Sequence, residues 1–94
     1  MRVTVLLPGV LRPAAGDAAR LDLDLDAPAT LAHALDAVAR DHPALHRRLR
    51  DERGALRRYV NFYVDGEECR RLAGGETELR PGVEIQIIPS VAGG

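Results

Sequence analysis

Residues 21–26 alternate leucine and aspartate without a break, which is the clearest pattern in this chain of 94 residues. Successive side chains of a β-strand point to opposite faces, so the leucines share one face and the aspartates share the other. Such a strand has one wet face and must bury its leucine face against another layer. The pattern therefore predicts a sheet with one solvated face and one covered face.

A second strand is predicted nearer the amino terminus. Val3, Val5 and Leu7 alternate with their neighbours and indicate a half-buried first strand. Residues 13–17 are rich in small residues and are predicted to be a loop. With residues 21–26, the first strand is expected to form an N-terminal hairpin.

One main amphipathic helix follows. Thr30 is a candidate N-cap, because its hydroxyl can accept a hydrogen bond from the first turn. Apolar residues then recur at helical spacing, at positions 31, 34, 35 and 38. Pro43 disfavours helical geometry in the residue before it, so this helix should end near His42. Pro43 can also begin a shorter helix that carries Leu45 and Leu49.

The carboxyl-terminal half contains further strand signals. Residues 59–64 are rich in strand formers and lead into an Asp-Gly pair, which is a strong hairpin signal. The return strand is expected at residues 67–71, and residues 77–79 are predicted to be a short irregular turn. Apolar residues alternate again at residues 83–88 and predict a last strand, which Pro89 ends.

The order of these elements predicts an α+β fold. The simplest closure places the first and last strands side by side and parallel, in the middle of a mixed sheet of about five strands. One main helix covers this sheet, which is the β-grasp or ubiquitin-like arrangement. We expect residues 1–89 to form the domain and residues 90–94 to form a flexible tail that ends in Gly93 and Gly94.

Composition limits the classes of function. The chain is 46% hydrophobic and 29% charged, which is typical of one soluble domain with a modest core. No apolar run is long enough to span a membrane, and the net charge of −1 provides no overall field that attracts nucleic acid. The single cysteine excludes an internal disulfide, so a cytoplasmic location is the simplest expectation.

Several side chains are weaker candidates for a site. His42 and His46 have a zinc-compatible spacing, but Pro43 interrupts their helix and no third ligand has the right spacing, so no metal site is expected. Cys69 is placed in the return strand next to two arginines that could lower its pKa. No histidine pairs with it at a meaningful spacing, so it is interpreted as a bystander, and no catalytic residue is assigned.

Residues 47–58 contain six arginines and only two acidic residues. Because no aromatic residues are interleaved with them, we interpret this segment as a solvated face or a protein contact rather than a nucleic-acid site. The aspartates at positions 22, 24 and 26 could coordinate a cation, but they are read more simply as the wet side of a strand.

The sheet face opposite the helix is the expected surface for docking a partner. In residues 59–64, alternation assigns positions 60, 62 and 64 to the core and leaves Tyr59 and Tyr63 on the outer face. Tyrosine is favoured at interfaces, although these two could simply pair across strands. Ile88 has the same outward parity just before the tail and is a third docking candidate.

With its Gly93-Gly94 ending, this element order resembles the MoaD/ThiS family of ubiquitin-like sulfur carriers over essentially the whole chain. The resemblance is greatest to the CysO-type members, which serve cysteine biosynthesis, and the long arginine-rich connection also fits that subgroup. The stretches that carry the resemblance are residues 3–5, 11–13, 59–64, 74–75 and 88–94.

The resemblance implies a protein cosubstrate rather than an enzyme. An E1-like activating enzyme would use ATP to adenylate the Gly94 carboxylate, and a sulfur donor would convert it to a thiocarboxylate. Val91, Ala92 and Gly93 would thread the tail into the partner's active site. The sulfur would pass to a cysteine synthase dependent on pyridoxal phosphate (PLP), and a metallopeptidase would release the product. ATP and PLP would belong to these partners, so this chain is expected to bind no cofactor.

Other outcomes stay open at this point. Members of the same family act as the small subunit of molybdopterin synthase or supply sulfur for thiamine or other metabolites. A ubiquitin-like modifier would instead join Gly94 to lysines of other proteins. A β-grasp interaction module whose two glycines are accidental would tolerate any change at its carboxyl end.

Overall fold

A computed structural model describes residues 1–89, and residues 90–94 lie outside the described residues. Two helices are present among the described residues, α1 (Leu31–Asp41) and α2 (Pro43–Leu49). The strands, in chain order, are β1 (Arg2–Leu6), β2 (Arg20–Asp24), β3 (Ala29–Thr30), β4 (Val60–Val64), β5 (Glu67–Glu68), β6 (Glu78–Leu79) and β7 (Glu84–Pro89). Short 3₁₀ helices cover Gly9–Ala15, Cys69–Arg71 and Gly74–Glu76.

The main sheet is mixed and has the strand order β2-β1-β7-β4-β5. The first and last strands are parallel neighbours in its interior, with Val5 opposite Ile85. β2 pairs with β1, and β4 with β7, in antiparallel register. The predicted α+β, β-grasp topology is therefore confirmed, including its central parallel pair.

The alternation predicted for residues 21–26 is confirmed in β2, although that strand ends at Asp24. Leu21 and Leu23 are buried, whereas the intervening Asp22 is exposed on the outer face. β1 is the next strand of the sheet after the edge strand β2. Its Thr4 faces the outer side of the sheet but is buried. The Thr4 hydroxyl donates to Asp22 Oδ1 at 3.0 Å, so the outer face is partly closed over β1.

Both predicted helices are present, and local sequence explains their ends. The Thr30 hydroxyl accepts from the His33 backbone at 3.3 Å, while His33 Nδ1 accepts from the Thr30 backbone at 3.0 Å. This reciprocal capping box begins α1. Pro43 begins α2, which buries Leu45 and Leu49. The two helices cover the apolar face of the sheet.

Two segments differ from their predicted local structure. Residues 13–17, predicted as a loop, lie partly in the 3₁₀ helix Gly9–Ala15, because Leu11 and Ala15 turn inward and become buried. Residues 77–79, predicted as an irregular turn, contain β6, which pairs with β3 in a small second sheet. That pairing joins residues far apart in sequence, so local pattern could not indicate it.

The hairpin after β4 is correct, but its return strand is shorter than predicted. Asp65 and Gly66 both have positive φ, at 54° and 85°, as a two-residue turn between twisted strands requires. The return strand is only Glu67–Glu68, instead of residues 67–71. The Glu68 carboxylate accepts from the Arg70 backbone, and this contact turns the chain into the 3₁₀ helix Cys69–Arg71.

The core lies between the sheet and the two helices. Its largest fully buried side chains come from β4, β7, α1 and α2, and include Phe62, Ile85, Leu31, Leu35 and Leu45. Among residues 1–89, no helix is both long enough and apolar enough to cross a membrane.

Candidate functional site

The predicted tail follows directly from the interior of the sheet. β7 is bordered by β1 on one side and by β4 on the other. Its last residue, Pro89, is opposite Val60 of β4, and Ile88 is opposite Asn61. The chain therefore reaches residue 90 from a strand that is held by its neighbours. Residues 91–94, for which tail and sulfur-carrying roles are predicted, lie outside the described residues, so those roles stay predictions.

An open groove lies next to this tail base on the β1 side. It has a volume of about 380 Å³, and its lining includes Leu6, Pro8, Arg12 and Ile88. Ile88 faces outward and is 40% exposed. Arg12 is held by a hydrogen bond from its Nε to the Leu7 carbonyl at 3.2 Å. An apolar surface with one guanidinium therefore lies beside the start of the tail.

Sequence reasoning assigned Ile88 to this surface but missed Arg12. The available signal was the Leu-Arg-Pro stretch at residues 11–13, which carries part of the family resemblance but has no strand or helix periodicity. Arg12 lies in the 3₁₀ helix Gly9–Ala15 and lines the groove together with residues 86–88 of β7.

The two tyrosines proposed for docking have different surroundings. Tyr59 lies immediately before β4 and is 59% exposed. Tyr63 is half-buried within β4, with Gln86 and Glu68 as its cross-strand neighbours. The predicted parity is correct, since Val60, Phe62 and Val64 are buried. The docking role of Tyr59, Tyr63 and Ile88 stays a prediction.

Cys69 is buried in the core rather than placed on a strand. Desolvation by burial, and then the negative charge of Glu68, raise the pKa of its thiol to about 11. The neighbouring Arg70 acts in the opposite direction but is the weaker influence. Arg70 therefore lowers this pKa as predicted, but burial and Glu68 outweigh it. A buried, protonated thiol agrees with the bystander interpretation.

We expect native Cys69 to react with iodoacetamide at pH 8 far more slowly than in urea-unfolded protein. The raised pKa alone reduces the thiolate population by about 100-fold, and burial blocks access as well. The measurement is the rate of mass gain by intact protein, with and without urea. Equal rates in the two states would contradict the buried position of this thiol.

His46 is engaged in a structural contact. Its Nε2 accepts from Arg50 Nε at 2.8 Å, and Arg50 Nη2 lies 2.7 Å from Asp36 Oδ1. Burial, followed by the positive charge of Arg50, lowers the pKa of His46 and favours the neutral imidazole that this bond needs. No group of three or more potential metal-ligating side chains is found within residues 1–89.

The sequence pattern of the ThiS family matches residues 5–94 of this chain. The chain belongs to the ThiS family. The match covers every described strand except the start of β1, and it extends through the residues that the structure does not describe. The family assignment therefore rests on the sequence of the folded domain and of the tail together.

Relatives of this ThiS-family protein include carriers and modifiers. The sulfur carrier protein CysO of Mycobacterium tuberculosis is 34% identical over 96 residues, with both chains covered completely. The crystal structure of SAMP1 from Haloferax volcanii has a TM-score of 0.85, 31% identity and full coverage of both chains. CysO in the BexX/CysO complex of Amycolatopsis orientalis has a TM-score of 0.82 and 34% identity, and the alignment covers 98% of this chain and 99% of that one.

Proposed function

We propose that this protein is a sulfur carrier whose reactive group is the Gly94 carboxyl. The observation that carries the proposal is the complete, end-to-end alignment with a sulfur carrier protein. It is combined with a last strand that pairs with β1 as far as Gln86 and with β4 as far as Pro89. The fold then serves as a handle that a partner recognises. Residues 90–94 are the part that enters the partner's active site.

The proposed chemistry needs no catalytic side chain from the carrier. A Gly94 carboxylate oxygen attacks the α-phosphorus of ATP in an E1-like adenylyltransferase, and pyrophosphate leaves. A sulfur donor then attacks the carbonyl carbon of the acyl adenylate, and a carbon–sulfur bond forms. The bond between that carbon and the phosphate oxygen breaks, and AMP leaves. The acyl adenylate supplies the good leaving group that a free carboxylate lacks. Glycine at the last two positions lets a narrow cleft admit the chain.

We propose a PLP-dependent cysteine synthase as the sulfur acceptor, with a metallopeptidase that releases the product. The similarity to CysO of Mycobacterium tuberculosis supports this choice. PLP, ATP and the peptidase metal belong to the partners in this scheme, and the carrier holds none of them. A reaction that consumes ATP and a reduced sulfur donor fits the cytoplasmic setting expected from the sequence.

CysO from Amycolatopsis orientalis has been crystallised in a complex with BexX. A carrier of this kind can therefore associate with another protein. Supply of sulfur to a molybdopterin precursor, to thiamine or to another metabolite is the corresponding alternative for this chain. Each alternative keeps the same activated Gly94 and changes only the acceptor.

A second candidate function is protein modification. It is favoured by the similarity to SAMP1, the small archaeal modifier protein 1 of Haloferax volcanii. Activation of Gly94 would be the same, but the acceptor would be a lysine amine of another protein. Stable adducts of higher mass in cell extract, resistant to mild alkaline hydrolysis, would distinguish this function from sulfur transfer.

The proposal is tested by the mass of the C-terminal tryptic peptide from protein isolated from its own cells. Trypsin cleaves after Arg71 but not readily between Arg80 and Pro81, so the expected peptide is residues 72–94. This peptide has no cysteine or methionine whose oxidation could imitate the change. We expect the mass difference of one oxygen-to-sulfur exchange, lost on alkaline hydrolysis. An unmodified peptide after incubation with ATP, sulfide and the activating enzyme would overturn the proposal.

A further inference from the structure

A cluster of arginines lies at the end of α2 and in the loop that leads into β4. Four of the five side chains are exposed, and the fifth, Arg57, is half-buried. Within residues 1–89, none of the five forms an ion pair with a carboxylate. This arginine patch consists of Arg47, Arg48, Arg53, Arg57 and Arg58.

Two acidic residues, Asp51 and the exposed Glu52, lie within the same segment and offset part of this charge. Asp51 Oδ1 accepts from the Arg53 and Ala55 backbones at 2.9 and 3.0 Å, and the hydrogen bond from Ala55 is the main cause of its lowered pKa. Asp36 is bound to Arg50. The patch therefore keeps an excess of positive charge, although the whole chain has a net charge of −1.

Hydrogen bonds hold the backbone of the patch and the Arg57 side chain in place before any partner binds. Arg57 Nε donates to the Arg47 carbonyl at 2.9 Å, which joins the loop to the end of α2. Arg70 Nη2 donates to the Arg57 carbonyl at 2.8 Å from the other side. The loop between α2 and β4 turns at Gly54, whose φ is +84°. A preformed surface loses less conformational entropy on binding than a disordered basic segment does.

The patch lies at the end of the sheet from which the tail continues. Arg58 is two residues before Val60, and Val60 is opposite Pro89 in the β4–β7 ladder. At the opposite end of the sheet, Asp24 is paired with Arg2 and Asp65 is paired with Arg80. Positive charge in excess of carboxylates is therefore concentrated next to the tail base.

We propose that the arginine patch docks on a carboxylate-rich protein surface that surrounds the tail-binding cleft of the adenylyltransferase. The identity of this partner rests on the proposed function. Guanidinium groups bind carboxylates in a bidentate, directional manner, and charges at the rim of an interface mainly accelerate association. A protein surface is favoured over nucleic acid because, among residues 1–89, Tyr59 is the only aromatic residue beside the patch.

The test reverses charge at two patch residues whose side chains make no hydrogen bond within the described chain. Arg53→Glu/Arg58→Glu is compared with Arg40→Glu/Arg71→Glu, which makes the same change in net charge at two exposed arginines outside the patch that also lack ion pairs. The readout is ATP–pyrophosphate exchange by the adenylyltransferase at increasing carrier concentration. We expect the patch variant to raise the KM for the carrier about tenfold or more with kcat nearly unchanged, and the control to change KM by less than about twofold.

Equal KM values for the two variants, or a wild-type KM that does not rise with salt, would overturn the inference.

If wild-type carrier supports no exchange with any adenylyltransferase of its genome, the proposed function fails instead. The patch is then tested by NMR titration of the labelled protein with decaglutamate. Shifts at residues 47–58 that the patch variant loses would support it, and their absence would overturn it. Tight, patch-dependent binding of transfer RNA at physiological salt would also overturn it, in favour of a nucleic-acid site.

Discussion

Removal of Gly94 is expected to abolish adenylation and sulfur transfer while leaving the folded domain as stable as the full-length protein. The shortened tail would place its carboxylate about 3.5 Å short of the position that the full-length chain reaches. Misplacement of a reacting group by about 1 Å can cost about 100-fold in rate, so we expect a loss of about 1,000-fold or more in ATP–pyrophosphate exchange. Exchange and the urea midpoint of unfolding are the two measurements.

Gly94→Ala is the matched control, because it keeps the length of the tail and adds only a methyl group at its end. We expect Gly94→Ala to retain more exchange activity than the truncated chain does. Neither change should move the urea midpoint, because terminal residues contribute little to stability unless they are tied down. A truncated chain that keeps full activity would contradict the proposed function. A truncated chain that unfolds would show that the end of the chain is structural.

The sequence predicted best those elements in which local pattern and burial agree. The leucines of β2 and the alternating valine and isoleucine residues of β1 and β7 are all buried on one face, as alternation requires. Thr30 and Pro43 begin the two helices at the predicted positions. In each case, residues within a few positions of one another determine the structure.

The segments that were predicted wrongly depend on contacts between distant residues. Glu78 and Leu79 form a strand only because they pair with residues 29–30, about fifty positions earlier. Cys69 leaves the predicted return strand because its side chain fills the core. The arginine-rich segment shows that the same limit applies to the site. The sequence shows how many arginines it contains, but it does not predict the hydrogen bond between Arg57 and Arg47 that shapes the patch.

Phe62→Ala is expected to cause the largest loss of stability of any single substitution considered. Phe62 is fully buried, and it lies opposite Ile87 on the strand that holds β7 in place. Truncation of a buried phenylalanine to alanine typically costs about 3–5 kcal/mol, because a cavity remains where the ring was. A domain of this size has a total free energy of unfolding of about 5–10 kcal/mol. Urea unfolding followed by far-UV circular dichroism measures the change.

Tyr63→Ala is the control on the same strand, because Tyr63 is half-buried and faces the other side of the sheet. We expect a loss of about 1 kcal/mol for this change, which is well below the loss for Phe62→Ala. Equal losses would contradict the assignment of the two faces of β4.

Phe62→Leu leaves a smaller cavity and should keep most molecules folded. Because β4 pairs with β7 up to Pro89, a loosened β4 should position the tail base less well. We therefore expect Phe62→Leu to bind the adenylyltransferase more weakly at a temperature where it remains folded.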